Sequence, residues 1–315
     1  MTLKPAFEVI GLGASPVDIL SLVEEFPTGE SVHQAQAMAI DGGGPVATAM
    51  ATLARLGART AMVDVIGDDW RGQVIRQSFL RLGVGVDFLR VQPGRTSATS
   101  SILVRRRDGA RVIVFFPGDG DGVTPADLPR AAIAAARFLH VNGRHWEACL
   151  EACRLARQHG VQVSFDGGAH RYRPDLDRLM PLVDICIVAR QFAEAYTGET
   201  DVHRAGMALL AEGARLVAIT DGLHGSWIFP AGQPAFHQPA FQTAGVVDTT
   251  GCGDSYHGAF LFGLLRGFDL RQTAALASAV AALNTRGLGG RAGLPTLEEA
   301  VAFMAQARPL EERPF

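Results

Sequence analysis

The sequence predicts an α/β protein built on a mostly parallel sheet with helices on both faces. Short apolar runs typical of buried strands alternate with helical stretches along most of the chain. The 315 residues are 48% hydrophobic, which is enough for one large core. Neither a low-complexity linker nor an internal repeat divides the chain. We therefore expect one main domain spanning 1–315.

The elements of this fold follow one another in a regular order. The first strands and helices are predicted in turn at 7–13, 44–57, 60–67 and 70–82. Further short apolar strands, separated by helical windows, are predicted at 138–143, 161–166, 184–189 and 215–220. Ligands of open parallel sheets bind at the carboxyl ends of the strands, so we expect the functional site there.

Two stretches interrupt this alternation. Residues 16–40 lack helical periodicity, and residues 95–117 contain two β-rich runs around "RRDGAR". Within the second stretch, Asp108-Gly109 is a strong hairpin turn signal. We expect the two insertions to meet in a small β-sheet that forms a lid over the ligand edge.

Composition argues against several classes of partner. The net charge is −3 with both signs interspersed, so no nucleic-acid footprint is present. The N-terminal apolar run is too short for a signal peptide, and the run at 131–142 is interrupted by Arg137 and His140. Four cysteines without a common zinc spacing are expected as free thiols: Cys149, Cys153, Cys186 and Cys252. We expect a cytoplasmic protein with no nucleic-acid or membrane partner.

The segment "DTTGCGDSYHGAF" at 248–260 is the strongest candidate for chemistry. Gly251 and Gly253 lack Cβ atoms, so their amides can converge where a helix begins and adds partial positive charge. That arrangement suits the phosphoryl group of a transition state, and Asp254 beside it can take the proton of an attacking hydroxyl. The alternative is that Asp254 is simply a helix N-terminal residue favoured by the dipole.

This segment resembles the DTxGAGD signature of the PfkB (ribokinase-like) carbohydrate kinase family, with Cys252 where the family usually has Ala. The resemblance implies a ribokinase-like three-layer fold with a small β-sheet lid. It also implies ATP-dependent phosphoryl transfer to a sugar, with Asp254 as base and the amides of 251–254 as the anion hole. Cys252 at a helix N-terminus is expected to gain thiolate character and to react with alkylating reagents, unless it is only a small packed residue.

The stretch "DGGGPVATAMATLARLG" at 41–57 resembles a second signature of the same family. The resemblance implies that Gly42 and Gly43 let sugar hydroxyls approach the backbone, and that Thr48 replaces an asparagine that contacts the sugar in relatives. Asp18 matches an aspartate that typically bonds sugar hydroxyls in the family, and its alternative role is a turn cap.

The nucleotide side of the family pattern is also present. Thr220, Gly222 and Gly225 resemble the TxGxxG segment that lies along the nucleotide phosphates, and their alternative role is a hairpin turn. Residues 279–295 resemble the helix and loop on the adenine side, with Asn284 as the candidate near the base. The resemblance further implies a monovalent cation such as K⁺, bound by carbonyls of 286–291 and of the segment that begins at Asp248.

The magnesium element departs from the family pattern. Relatives usually carry Asn-x-x-Glu after the strand at 184–189, whereas Ala189 and Phe192 occupy those positions here and Glu194 is out of register. We expect Mg²⁺ to be held mainly by the nucleotide phosphates and water. Asp166, at the end of its strand, either helps through a water molecule or caps the strand.

The subgroup most similar to this chain is the sulfofructose kinase type, which shares the motifs at 42–45, 144–146, 237–241 and 289–295. Arg144 follows a strand at the ligand edge, where its guanidinium can bind an anionic tail. Alternatively, Arg144 forms a salt bridge or stacks on Trp146. The subgroup's lid Lys is missing from 28–34, and Phe115 replaces its Asn. A ketohexose-like sugar, a sugar acid and a sulfosugar therefore all remain open.

Other candidates are weaker. His33 and Arg105–Arg107 are possible substrate contacts, but arginines beside a hairpin turn usually form a solvated face. A dinucleotide oxidoreductase is disfavoured because Pro16 stands where "GLGASP" would need its third glycine, and no P-loop motif occurs. A nucleoside kinase of the same family and a catalytically silent sugar-binding or regulatory protein remain as alternatives. The resemblance also implies a homodimer formed through the lid.

Overall fold

The computed structural model describes residues 6–311 and 313. Its strands are β1 (Val9–Leu12), β2 (Val17–Val23), β3 (Ala37–Gly42), β4 (Thr60–Gly67), β5 (Val84–Gly85), β6 (Leu89–Gln92), β7 (Thr99–Arg105), β8 (Arg111–Phe116), β9 (Phe138–Val141), β10 (Gln162–Gly167), β11 (Ile185–Ala189), β12 (Leu216–Thr220), β13 (Ser226–Pro230) and β14 (Phe236–Gln238). Its α-helices are α1 (Pro45–Arg55), α2 (Trp70–Leu82), α3 (Arg130–Ala135), α4 (Trp146–Gln158), α5 (Arg190–Thr197), α6 (Val202–Ala211), α7 (Cys252–Arg266), α8 (Leu270–Asn284) and α9 (Leu297–Gln306).

The central sheet is mostly parallel, as the alternation of strands and helices predicts. Its strand order is β14-β13-β12-β11-β10-β9-β1-β4-β5, and β6 also pairs with β4. The pairs from β5 to β12 are parallel, whereas β13 and β14 continue the sheet antiparallel. The antiparallel edge arises because the short turn at Gly222–His224 cannot make the long crossover that a parallel strand requires.

Helices cover both faces of this sheet, so the predicted three-layer fold is confirmed. One core cluster packs α4, α5 and α6 against one face, and a second cluster packs α1, α2, α7, α8 and α9 against the other. The Ala-rich α1 fits closely because its small side chains let the helix lie near the sheet and α7. The structure places the beginnings of α1 and α7 beside the same cavity.

The two insertions form a separate four-stranded sheet of order β3-β2-β7-β8. β2 pairs parallel with β7, while β3 and β8 lie antiparallel at the two edges. The Asp108-Gly109 turn closes the β7–β8 hairpin, and Gly109 has a φ of 66° that suits glycine. Residues 16–40 and 95–117 therefore meet in one β layer, as the sequence predicts.

Element boundaries differ slightly from the prediction. The first strand is shorter than 7–13, and α7 begins at Cys252 rather than at Asp254. This earlier start places Asp254 in the first turn, behind two helical residues.

None of the described helices is both long and apolar enough to cross a membrane.

Candidate active site

A cavity of about 1410 Å³ lies between the central sheet and the lid sheet. It is lined by residues from many parts of the chain, as expected for the carboxyl edge of an open α/β sheet. Ten of the residues that the sequence singles out line this cavity: Asp18, Arg144, Asp166, Thr220, Gly222, Gly225, Gly251, Cys252, Gly253 and Asp254. The sugar-side and nucleotide-side candidates thus share one space.

The start of α7 has the geometry of an anion-binding site. Gly251 adopts φ 74°, and a Cβ added to it would lie 2.6 Å from the carbonyl oxygen of Gly290. Only glycine fits there without strain. Within the described residues, the amides of Gly251, Gly253 and Asp254 donate no hydrogen bond. Free amides at a helix N-terminus are the donors that bind phosphate in many proteins.

Asp254 lies in the first turn of α7 with a perturbed carboxyl group. Burial raises the pKa of Asp254, and the nearby Asp166 carboxylate raises it further. The charges of Arg171 and Arg111 act in the opposite direction and favour the carboxylate. A carboxylate whose pKa is raised by burial is a stronger base than an exposed one and is suited to accept a proton from a hydroxyl.

Asp18 faces the same cavity from β2. Burial raises the pKa of Asp18 to about 6, although a hydrogen bond from Ser100 and the charge of Arg291 favour the ionised form. A Cβ on Gly43 would lie 2.0 Å from Asp18 Oδ2, so glycine leaves room for this carboxylate. Gly42 and Gly43 lie behind the cavity wall, and the adjoining Gly44 and Pro45 line it.

Arg291, for which the sequence offered no role, organises the sugar side. It is buried, and it donates to Thr48 Oγ1 at 3.2 Å, Ser78 Oγ at 3.1 Å and the Gly43 carbonyl at 2.6 Å. Burial lowers the pKa of Arg291 to about 10, so it stays charged at neutral pH. Thr48 therefore contacts Arg291 and does not line the cavity, so its place on the sugar side stays a prediction.

The nucleotide-side turn lies at the cavity wall, but Asn284 does not. Thr220, Gly222 and Gly225 line the cavity, and a Cβ on Gly225 would lie 2.2 Å from the Gln238 carbonyl oxygen. Asn284 is fully buried, and its Nδ2 donates to the Gly290 carbonyl at 2.9 Å. The side chain thus turns inward to hold the loop after α8, while the neighbouring Ala281 and Thr285 line the cavity. Its place near the base stays a prediction.

Asp248 hydrogen-bonds both to the loop after α8 and to its own segment at 248–254. Asp248 Oδ1 accepts from the Thr250 amide at 2.7 Å, and Oδ2 accepts from the Gly289 amide at 2.9 Å. The segments expected to bind a monovalent cation therefore lie against each other.

The lid hairpin docks directly onto this region. Thr249 Oγ1 donates to the Gly109 carbonyl at 2.8 Å, and Arg111 Nη1 donates to Thr249 Oγ1 at 3.0 Å. Arg111, which the sequence did not single out, thus reaches the cavity from β8. A basic residue on a lid strand carries no sequence signal that separates it from a solvated one.

Three further arginines line the cavity: Arg144, Arg171 and Arg173. Arg144 lies over the ring of Phe115 at 5.8 Å, and it forms no ion pair within the described residues. Arg173 and Arg178, and not Arg144, lie over the ring of Trp146, at 4.6 and 5.8 Å, so the alternative of Arg144 stacking there is not observed. Arg173 is paired with Asp175 at 2.7 Å, so Arg144 and Arg171 supply the cationic wall of the cavity.

The weaker candidates for substrate contact, His33 and Arg105–Arg107, do not line the cavity. His33 is exposed and pairs with Ser31 Oγ, and neither residue lines the cavity. Arg105 and Arg107 form ion pairs with Asp108 and Glu25 beside the hairpin turn, and neither arginine lines the cavity. Arg107 is exposed, as its position beside a turn favours, whereas the side chain of Arg105 is only 20% exposed.

The segment after β11 offers Mg²⁺ no carboxylate. Phe192, at the family's Glu position, is buried in the core, and Ala189 only begins α5. Glu194 is bonded to Arg190 Nε at 2.9 Å. Asp166 lines the cavity, but its Oδ1 lies 3.5 Å from His257 Nε2, in a setting of imidazoles rather than of the oxygen ligands that Mg²⁺ prefers.

Cys252 is less reactive than its helix position suggests. Burial raises the pKa of Cys252 to about 12, which outweighs the opposing charge of Arg111. The expected thiolate character is therefore wrong. We expect iodoacetamide to label Cys252 about tenfold or more slowly than a free thiol at neutral pH, as mass spectrometry can follow. Labelling of Cys252 as fast as N-acetylcysteine would contradict this assignment.

Comparison with known proteins agrees with this geometry. A model of the pfkB family carbohydrate kinases matches residues 7–297. The chain is 30% identical over 249 residues to an uncharacterised sugar kinase of Archaeoglobus fulgidus, covering 77% of this chain and 98% of that protein. It is 29% identical over 307 residues to ribokinase of Mus musculus, covering 93% of each chain. The crystal structure of adenosine kinase from Sinorhizobium meliloti superposes with a TM-score of 0.82 at 25% identity, covering 96% of this chain and 99% of that one. The chain therefore belongs to the pfkB family of carbohydrate kinases, ATP-dependent phosphotransferases that use an alcohol group as the acceptor.

Proposed function

We propose that this chain transfers the γ-phosphoryl group of ATP to a hydroxyl of a ketohexose-like sugar, a sugar acid or a sulfosugar. The observation that carries the proposal is the position of Asp254 at the start of α7, beside free amides and in the same cavity as Asp18. The amides of 251–254 would hold the transferring phosphoryl group. Asp254 would take the proton of the attacking hydroxyl, and Asp18 would orient the sugar as a hydrogen-bond acceptor.

The cationic wall favours an anionic acceptor. Arg144 and Arg173 line both the main cavity and a second cavity of about 320 Å³ beside it. Guanidinium groups bind carboxylate, sulfonate and phosphate oxygens in a fork geometry. A sugar with an acidic tail could place its hydroxyl at Asp254 and its anion at these arginines, which fits the resemblance to the sulfofructose kinase type.

An ATP-consumption assay over a sugar panel tests this function. The panel pairs neutral ketohexoses with their carboxylated, sulfonated and phosphorylated counterparts and includes nucleosides. We expect turnover with at least one acidic sugar, and Arg144→Gln is expected to raise its KM with little change for the neutral counterpart. Arg137 is exposed and remote from the cavity, so the matched Arg137→Gln variant should leave the KM unchanged for the acidic sugar and for its neutral counterpart. Turnover of nucleosides alone would support the nucleoside-kinase alternative, and binding without turnover would support a silent sugar-binding protein.

Sugar affinity is expected to fall in acid. The pKa of Asp18 is raised to about 6, so lowering the pH through 6 adds a proton to the carboxylate that accepts sugar hydrogen bonds. The groups whose fields act on it are Ser100 of β7, Arg291 of the loop before α9, Asp254 of α7 and Asp41 of β3. Calorimetric titration without ATP should show weaker sugar binding at pH 5 than at pH 7.5. Affinity that is constant over this range would contradict the role of Asp18.

The raised pKa of Asp18 also affects the stability of the folded protein. Because the folded pKa lies above the ordinary value of 3.8, the ionised Asp18 costs stability above pH 6, and that cost disappears as the pH falls through 6. Asp18→Asn should therefore bind sugar poorly but melt at a higher temperature than the wild type at pH 8, which separates a binding role from a structural one.

The metal cofactors follow from the same geometry. Mg²⁺ would be held mainly by the nucleotide phosphates and water, because the segment after β11 supplies no ligand. A monovalent cation such as K⁺ is supported by two buried oxygens without a partner in the described residues, Thr250 Oγ1 and Asn284 Oδ1. Both belong to segments that pack together beside the anion hole.

A homodimer through the lid sheet is also proposed. β8 lies on the edge of that sheet, where Ile113 and Phe115 line the cavity and Val112, Val114 and Phe116 form an exposed apolar row on the opposite face. An exposed apolar edge strand readily pairs with another chain, and a second copy of β8 is the partner with matching chemistry. Val114 is 68% exposed, so Val114→Asp is expected to shift light-scattering mass from dimer to monomer. A wild-type protein that is monomeric at all concentrations would contradict the dimer.

All four cysteines are free, and Cys149, Cys153 and Cys186 are buried. Free thiols of this kind persist in a reducing compartment, which supports a cytoplasmic location.

A further inference from the structure

A buried cluster of three metal-ligating side chains lies behind the proposed base. His140 comes from β9, Asp166 from the end of β10 and His257 from α7, and they are 0%, 2% and 4% exposed. One donor atom of each residue lies within 4.8 Å of the donor atoms of the other two. The two imidazole rings lie 5.5 Å apart between centroids. The fold thus brings two imidazoles and one carboxylate from distant parts of the chain to one point.

Several polar atoms of this cluster lack partners within the part of the chain that the structure describes. His140 Nδ1 pairs with Ser164 Oγ at 3.1 Å, which leaves His140 Nε2 without a partner. Asp166 Oδ2 and His257 Nδ1 are also buried and unpartnered, whereas Asp166 Oδ1 lies 3.5 Å from His257 Nε2. Buried polar atoms without hydrogen bonds are costly and rare, so His140 Nε2 and Asp166 Oδ2 are open to a ligand beside His257.

The donor set of the cluster suits a cation. It consists of two buried imidazoles and one buried carboxyl group, and Asp166 Oδ1 lies 3.5 Å from His257 Nε2. A buried carboxylate needs a closer positive partner to offset its desolvation.

We propose that His140, Asp166 and His257 bind a divalent transition-metal ion of the Zn²⁺ or Co²⁺ type, at a site separate from the magnesium that accompanies ATP. Two imidazole nitrogens and one carboxylate oxygen suit these ions, whereas Mg²⁺ prefers oxygen ligands. The Ser164 hydroxyl that contacts His140 Nδ1 orients the free Nε2 towards the site.

The site is accessible from the main cavity. Asp166 and His257 line that cavity, so an ion can enter from there. Metal–ligand bonds of about 2.1 Å place donor atoms roughly 3–4 Å apart, so small side-chain rotations would complete the coordination. This proposal does not depend on the acceptor sugar.

Cobalt binding to the full-length, untagged chain tests the site. The protein is stripped with a chelator and titrated with Co²⁺ in excess Mg²⁺ while the visible d–d absorption is recorded. We expect one Co²⁺ per chain, displaced by Zn²⁺. His257→Asn and Asp166→Asn should each weaken Co²⁺ binding by about a hundredfold or more. His159→Gln, an exposed histidine at the end of α4, is the matched control and should bind Co²⁺ like the wild type.

Several outcomes would overturn the proposal. These are a wild type that binds no Co²⁺, binding that survives in both ligand variants, and Co²⁺ that excess Mg²⁺ displaces. If circular dichroism shows that His257→Asn fails to fold, the loss of Co²⁺ binding is measured in Asp166→Asn and His140→Gln instead. Because the assay measures metal binding and not turnover, its result is separate from that of the sugar panel.

Discussion

Replacing Asp254 with asparagine is expected to lower kcat by about a thousandfold or more while ATP binding persists. Asparagine keeps the shape and can still accept a hydrogen bond, but it cannot take the proton of the attacking hydroxyl. Release of ADP measures kcat, and calorimetry measures ATP affinity. The exposed Asp87→Asn, remote from the cavity, is the matched control and should turn over normally.

The size of this effect separates two roles of Asp254. If the residue served only to cap α7, its loss would cost stability and leave turnover within a few-fold of the wild type. A variant that melts normally but has lost turnover supports the catalytic role. Near-normal turnover in a well-folded Asp254→Asn protein would refute that role.

Gly251→Ala is expected to damage both folding and turnover. The residue has a φ of 74°, and a Cβ would lie 2.6 Å from the Gly290 carbonyl oxygen, so the backbone must shift. We expect a loss of about 1–3 kcal/mol in the free energy of unfolding. Displacing one amide of the anion hole should also lower kcat by about a hundredfold or more.

The matched comparison for this variant is Gly253→Ala. A Cβ on Gly253 would meet no protein atom within 4 Å, because it points into open space at the cavity. Gly253→Ala should therefore keep wild-type stability and affect only ATP affinity and turnover. Denaturant unfolding with steady-state kinetics measures both variants. Wild-type stability and turnover in Gly251→Ala would show that the turn does not hold the reacting phosphate.

Local patterns in the sequence were sufficient for most of the fold. Strand β4 and helix α2 lie at the predicted residues because β-branched runs and clear helix stops bound them. The pairing of β2 with β7 was harder to derive, since it joins segments about 80 residues apart and depends on tertiary packing. The antiparallel strands β13 and β14 were not predicted, because the sequence supports a hairpin turn at Gly222 and Gly225 no more strongly than a phosphate-binding turn.

The site was predictable only where a motif carries the chemistry. Glycine spacing identifies Gly251 and Asp254, since the backbone itself supplies the donors. Arg291 and Arg171 were missed because lone arginines in loops have no periodicity or spacing that marks them as buried or cavity-lining. The inward turn of the Asn284 side chain could not be predicted either, since helix spacing does not say whether a terminal side chain points outward or back to its own loop.

The most direct test of the central claim is a crystal structure with ADP, aluminium fluoride and the acceptor that the panel identifies. The fluoroaluminate group mimics the phosphoryl group in the transition state of its transfer. We expect it within about 3 Å of the amide nitrogens of Gly251 and Gly253, with the acceptor hydroxyl hydrogen-bonded to Asp254. A fluoroaluminate held elsewhere in the cavity, out of hydrogen-bond range of 251–254, would contradict the account.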